Sequence, residues 1–530
     1  MTTTPLSPVS SAADTHAGVN GHVGPAHTLA AELAQSPVVK AAIGQMVEAM
    51  RAKSAEITDV RGPRSAEATV AFEALMKQAA EVRGRPLLYP FISSGLGNGA
   101  LVELADGSVK WDMITGIGVH FFGHSDPDLA AAALSAGLDD TVKHGNLLSG
   151  AAPYEFAKTL LAEAKKHSKL RHAYIATGGA MANENALKVC FQKRVLDSMR
   201  MLANEPGLKP EQLLARVTPT MRVLAFKDCF MGRSLVMAQI GDNHAGREGL
   251  PNGVHVDYMP FWDAAAAERM GPGPGGKKRF IDMAVWHLEQ YINRYPGGHA
   301  CFIFELCQGE GGFNVGDRDY FKALMEVCKA HKVAVWDDEI QSFGRTERMF
   351  AYEHFDLGEY VDVFCVGKMT QACVSMWTEE FNPKSGILSG TFTGEGVSFK
   401  VGQRIIERLR DGDFYGPQGR FAKHHALFRQ HAKALIEKHP AWFPDCKELG
   451  GGGERLIGGL GGMMRLTPFG GNKDKVSKAC KTVFEEGAVV FYCGHGPYHL
   501  RMLPPLPVFK EEDWPRVFAC IERGLAKVAG

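Results

Sequence analysis

Three observations in the sequence predict an α/β fold built on a mostly parallel sheet. Between Arg171 and Thr378 short apolar runs recur, among them "HAYIAT", "MRVLAF", "ACFIFEL", "KVAVWDDE" and "VDVFCVG". These runs do not alternate apolar with polar residues, as expected of strands covered on both faces. Several are separated by stretches of helical periodicity, the pattern of crossovers that join parallel strands. Ligands of such sheets sit beyond the carboxyl ends of the strands. Thr177, Glu305, Asp338 and Lys368 fall at those ends.

Taken in order, residues 1–30 have neither the basic start nor the apolar stretch of a signal peptide, and read as a disordered tail. Residues 31–120 are expected to contribute to a smaller α+β domain. Apolar positions recur at helical spacing from Leu29 to about Ala80, and Gly and Asp-Gly then punctuate short alternating runs that read as hairpin strands. Residues 121–395 would form the large domain, with "GPGPGGKKRF" from Gly271 as a flexible connector. After "SGTFTGEG" the chain turns helical in "VSFKVGQRIIERL", and residues 396–530 would complete the smaller domain. There "LGGGGERLIGGLGGMMRL" reads as a Gly-rich loop leading into a strand. No repeat of solenoid length is evident.

Composition excludes several function classes. The 530 residues are 45% hydrophobic and 22% charged, enough to divide a sizeable core between two domains. Lys plus Arg equals Asp plus Glu at 59 each, so no overall field recruits nucleic acid or an anionic membrane. Eleven cysteines without a Cys-x-x-Cys pair point to reduced, buried thiols and a cytoplasmic protein. No run of about eighteen apolar residues is present, so a soluble chain is expected. Gly271 to Lys278 nearly matches a phosphate-binding P-loop, but Lys278 stands where Ser or Thr should bind magnesium. "SGLGNG" around Gly97 lacks the preceding apolar strand of a dinucleotide site.

Three motifs carry chemistry. "YIATGGAMANENALKV", from Tyr174, ends a strand, turns on two glycines and opens a helix. The first-turn amides of such a helix lack internal partners and carry the positive end of its dipole, so the turn either cradles a phosphate or stands empty. In "VAVWDDEIQSFGRT", Asp338 ends a strand. Facing inward it needs a cationic or proton-donating partner; otherwise it caps the next segment. "VDVFCVGKMTQ" places Lys368 after a buried run. There it either ends the strand in water or sits in a pocket, where lost hydration lowers its pKa and makes it a nucleophile. Together a phosphate turn, an inward carboxylate and a lysine are the parts needed to hold pyridoxal phosphate. The phosphate anchors it, Asp338 keeps the ring nitrogen protonated, and Lys368 forms a Schiff base.

From about Ser94 to Leu506 the chain resembles the class III (omega) aminotransferases, the group of ornithine, acetylornithine, 4-aminobutyrate and lysine 6-aminotransferases. The resemblance rests on ordered motifs: "GIGVHFFGHSDP", "GGAMANENALK", "FMGRS", "CQGEGG", "DDEIQSFGRT", "GKMTQ", "SGTFTG" and "RMLPPL". It implies a fold type I pyridoxal-phosphate transferase, with a large domain around the sheet and a smaller α+β domain from the two terminal segments. The implied reaction moves an amino group from an omega-amino donor to a 2-oxo acid, 2-oxoglutarate. Lys368 would be the Schiff-base lysine and proton shuttle, Asp338 the partner of the ring nitrogen, Gln341 a neighbour of the ring oxygen, and Phe230 the stacking aromatic. Gly178, Gly179 and Ala180 would face the phosphate. Thr391 would reach the phosphate of a neighbouring subunit, implying a homodimer with composite active sites. Arg233 matches the position that takes a distant substrate carboxylate, Arg501 the position that takes the α-carboxylate, and Glu310 the glutamate that gates that arginine.

Departures bear on substrate and on Thr391. Gly178 replaces a serine, Met231 a histidine, one residue is missing after Gln341, and Glu395 stands where asparagine is usual. Two other readings stay open: a racemase or aminomutase using the same cofactor and lysine, and a non-catalytic aminotransferase-like domain.

Overall fold

The computed structural model describes residues 28–202, 209, 212, 214, 221–251 and 253–530. The tail expected over residues 1–30 falls almost wholly outside them; its last two residues, Leu29 and Ala30, open a helix. That helix, α1 (Leu29–Gln35), is capped by Thr28, whose hydroxyl accepts from the Ala31 amide at 3.2 Å. Helices α2 (Pro37–Ser54) and α3 (Ala66–Arg83) follow. The hairpin signals then become β1 (Ser93–Asn98), β2 (Leu101–Leu104) and β3 (Val109–Asp112).

Among the described residues the central sheet has seven strands: β4 (Leu170–Ala176), β5 (Arg222–Phe226), β6 (His255–Met259), β7 (His299–Phe304), β8 (Ala334–Glu339), β9 (Val363–Val366) and β10 (Cys373–Thr378). Their spatial order is β4-β10-β9-β8-β7-β5-β6. Strands β7, β8, β9 and β10 are buried at every position, which is why β7, the start of β8 and β9 read as unbroken apolar runs. Six strands run the same way; β10 alone pairs antiparallel, with β9 on one side and β4 on the other. Only residues 367–372 join β9 to β10, too few for the crossover that a parallel neighbour requires. Helix α4 (Gly179–Leu202) leaves the carboxyl end of β4 and packs on the sheet.

The segment from Gly271 is not a flexible connector. It starts α5 (Gly273–Arg294), whose first turn contains Pro274, where a missing N–H costs nothing. Phe280, Ala284, Leu288 and Ile292 then bury one stripe at four-residue spacing. The glycines mark a helix start, and the apolar period behind them decides the structure.

The second part of the molecule follows α6 (Gly396–Asp411) and α7 (Arg420–Lys438). The Gly-rich stretch leads into a hairpin of β11 (Ile457–Leu460) and β12 (Met463–Leu466) that turns on Gly461 and Gly462. Strands β14 (Phe491–Cys493) and β15 (His499–Met502) complete a four-stranded sheet ordered β11-β12-β15-β14. A short strand, β13 (Ala488–Val489), pairs parallel with β3, so the N- and C-terminal segments share one sheet. Among the described residues no helix is long and apolar enough to cross a membrane. All eleven cysteines are unpaired and buried.

Candidate active site

The carboxyl ends of β8 and β9 and the start of α4 open onto one cavity of about 370 Å³, walled by Gly179, Ala180, Asn183, Phe230, Glu305, Asp338, Gln341 and Lys368 among others. Asp338 stands opposite Cys365 in the β8–β9 register, so Lys368 lies on the adjacent strand's exit. The Lys368 backbone is left-handed, with φ 52°, a strained state for a non-glycine residue that clusters at functional sites. Burial lowers the Lys368 amine to about 8, with Arg501 adding to the effect against the pull of Glu310, Glu305 and Asp338. At neutral pH an appreciable fraction is therefore free base.

Asp338 is buried, with both oxygens engaged. Oδ2 accepts from Asn183 Nδ2 at 2.7 Å and Oδ1 from the Ile340 amide at 2.9 Å. Burial raises its pKa to about 6, although those hydrogen bonds and Lys368 pull it down. Asn183 Nδ2 also donates to the Met231 carbonyl at 2.9 Å, tying the aspartate to the segment that carries Phe230. Glu305, at the end of β7, accepts from the Phe230 amide at 3.1 Å and from the Gly309 amide at 2.9 Å. Burial, and after it the Asp338 charge, push Glu305 up to about 8.

The helix start is tightly built. A Cβ on Gly232, which has φ 130°, would come within 2.7 Å of the Ala180 Cβ, and one on Gly309 would come within 2.5 Å of Gln341 Oε1. Gly179 and Ala180 line the cavity, whereas Gly178 lies just outside it at the turn. Gln341 Oε1 and Asn183 Oδ1 are buried without a hydrogen-bond partner.

The remaining candidates stand apart from this cavity. Arg501, on β15, is fully buried, and its Nη2 pairs with Glu310 Oε1 at 2.7 Å. Its Nε and Nη1 have no partner, and the rings of Phe491 and Phe313 flank it with centroids at 5.1 and 5.8 Å. Burial alone would raise Glu310, but Arg501, followed by Lys368 and Arg233, holds the carboxyl below the usual value. Arg233 is exposed, its guanidinium 5.4 Å from the Phe230 ring centroid. Thr391 is exposed on a loop whose backbone crowds Gly145, and it is not among the residues that wall this cavity.

The family model for class-III aminotransferases matches residues 88–523. The chain belongs to that family. This aminotransferase is 25% identical over 471 residues to a diaminobutyrate–2-oxoglutarate transaminase of Wolinella succinogenes, covering 86% of this chain and 96% of that one. It is 27% identical over 414 residues to the mitochondrial acetylornithine aminotransferase of Eremothecium gossypii, covering 76% and 83%. Among solved structures, lysine aminotransferase from M. tuberculosis in the internal aldimine form superposes with a TM-score of 0.69 at 22% identity, covering 86% of this chain and 99% of that one. The fold is that of the fold type I enzymes.

The aminotransferase is thus a pyridoxal-phosphate-dependent transaminase, and its cleft fits the cofactor. A helix N-terminus, a buried carboxylate, orphaned amide oxygens and a lysine of lowered pKa converge on one cavity. Sequence reasoning missed Asn183 as Asp338's partner and gave Glu305 no role. Asn183 lies one helical turn beyond Gly179, so the spacing alone puts it on the same face. Glu305 had only its place at a strand end to mark it.

Proposed function

We propose that this enzyme moves an amino group from an ω-amino donor bearing a carboxylate, of the lysine, ornithine, acetylornithine, 4-aminobutyrate or diaminobutyrate type, to 2-oxoglutarate. The Glu310–Arg501 pair carries this reading. With Glu310 in place the guanidinium is engaged and a donor presents its distal amine; with Glu310 turned aside, the N–H groups of Arg501 form a fork for the α-carboxylate of 2-oxoglutarate or glutamate. Arg233, beside Phe230, takes the donor's or acceptor's other carboxylate.

Pyridoxal phosphate, when bound, supplies the electron-accepting ring that acidifies the C–H at the reacting carbon. Lys368 Nζ takes and returns that proton, a task suited to an amine near neutrality. Asp338 would hold a proton on the ring nitrogen, Phe230 would pack on a ring face, and Gln341 would reach the ring oxygen. Gly179 and Ala180 would cradle the phosphate at the start of α4, with Gly178 at the turn just before them.

The working unit of this proposal is a homodimer. Residues 145–148 and 389–392 are joined by the Asn146 amide on the Gly390 carbonyl at 3.0 Å, and they expose Leu147, Leu148 and Phe392 beside Thr391. A second copy covering this apolar patch would bring Thr391 to its neighbour's phosphate. Eleven free, buried thiols support a reducing, cytoplasmic setting.

The test is to mix cofactor-loaded enzyme with each donor alone, follow the visible band, then add 2-oxoglutarate and assay glutamate. Glutamate from at least one donor is expected; none from any of them overturns the reading. Sedimentation of the wild type against Leu147→Asp tests the dimer separately.

A further inference from the structure

The loop of residues 308–314 has two sides. Glu310 turns toward Arg501, whereas Gln308, Gly311 and Asn314 line a second cavity of about 580 Å³. Across it stands Arg465 on β12, directly opposite Arg501 in the β12–β15 register, so both guanidiniums leave the same face of the small sheet. Only Arg501 has a carboxylate. The Arg465 hydrogen bonds all leave from Nη1 to neutral acceptors: the Gly312 carbonyl at 2.8 Å, Asn314 Oδ1 at 2.9 Å and His499 Nε2 at 3.4 Å. His499 is no counter-ion, because burial and the neighbouring Arg465 keep it neutral, with Nδ1 2.8 Å from the Thr467 hydroxyl oxygen. Arg465 Nε is buried without a partner. A desolvated guanidinium facing only neutral groups is an uncompensated charge, and buried charges are ordinarily paired.

A second cation without an ion pair stands on the same wall. Lys227 is exposed on it and makes no ion pair among the described residues. The wall's carboxylates are all engaged. Asp228 lies 3.2 Å from His495 Nδ1, Asp263 caps the helix Ala264–Arg269, and Glu448 takes the Cys446 thiol at 3.2 Å. Arg455 is neutralised by Glu268 at 2.7 Å. Two cations without a carboxylate partner among the described residues therefore face a space large enough for a metabolite, beside the apolar surfaces of Phe261 and Trp262.

We propose that this cavity is a second ligand site, which holds the carboxylate or phosphate group of a small molecule between Arg465 and Lys227. Titration calorimetry on the cofactor-loaded enzyme, with inorganic phosphate in one arm and citrate in the other, tests it and separates the two chemistries. Saturable binding of at least one probe is expected. It should weaken about tenfold or more in Arg465→Gln, which loses a charge-assisted hydrogen bond, and by a smaller factor in Lys227→Ala. It should persist in Arg501→Lys. Should Arg465→Gln fail to fold, the exposed Lys227→Ala variant decides. Failure of both probes to bind, binding indifferent to the Arg465 and Lys227 changes, or binding lost with Arg501→Lys alone would each overturn the proposal; the last result would place the anion in the substrate pocket.

Discussion

Strand β8 ends in three consecutive acids, and the pleat sends them to opposite faces. Asp338 faces the cofactor cavity, with both oxygens bonded and Lys368 close by. Asp337 and Glu339 face the other way. Glu339 accepts the Ala351 and Tyr352 amides at 2.8 and 2.9 Å, while neither oxygen of Asp337 has a hydrogen-bond partner. Burial pushes all three up, but Asp338 only to about 6, Glu339 to about 8, and Asp337 well above the carboxylate range with Glu339 adding to the effect. Equal burial thus gives unequal protonation, and partners decide which acid can stay charged. On one face the negative charge is prepared for a cationic ring; on the other it is suppressed.

The largest expected break on the charged face comes from Lys368→Ala, which should lower transamination on the order of 10³-fold or more and abolish the visible band. Asp338→Asn removes the charge but keeps the shape, and should lower kcat by roughly 10²- to 10³-fold in steady-state assays. Asn183→Ala deletes one hydrogen bond to that carboxylate and should cost about tenfold in kcat/KM, with a higher pKa for the ring nitrogen visible in a spectral titration. On the suppressed face, Asp337→Val should change activity less than about twofold and stabilise the fold by about 1 kcal/mol, read as a higher Tm.

The opposite face also predicts a pH dependence. Because the folded pKa of Glu339, about 8, lies above its ordinary value of 4.5, the folded protein binds a proton that the unfolded chain has released. This contribution to stability is full below about 4.5 and is lost as pH rises toward 8. The wild-type Tm should therefore fall across that window, and Asp337→Val, which removes a second buried acid that burial holds protonated in the fold, should flatten the slope.

Much of this was legible beforehand for a physical reason. The apolar runs at β5, β7, β8 and β9 are uninterrupted because both faces are covered, the half-buried β4 shows only the shorter run Ala173–Ala176, and Asp338 and Lys368 end two of them. Strands β6 and β10 were not picked out: His255, Asp257 and Ser375 break the apolar texture, yet Asp257 is satisfied by Arg222 at 2.6 Å and by His299 at 2.8 Å, and Ser375 by the Ala182 carbonyl at 2.6 Å. Those partners lie far along the chain, and no local pattern announces them. Gly271–Phe280 misled for the opposite reason, since local glycine content spoke for a loop while the amphipathic stripe continuing beyond it fixed a helix. The Arg501–Glu310 pair was anticipated only through family likeness, because 191 positions separate its members.

The short return between β9 and β10 limits how this enzyme can diversify. Pairing resumes at Val366 with Val374, so one added residue within 367–372 would invert the side chains of the whole returning strand, sending Ser375 and Trp377 to the wrong layers. The stretch that carries the reactive amine can change composition but not length. New substrate preferences must then arise from segments free to lengthen, and the bend holding Lys368 should keep one size wherever this architecture is inherited.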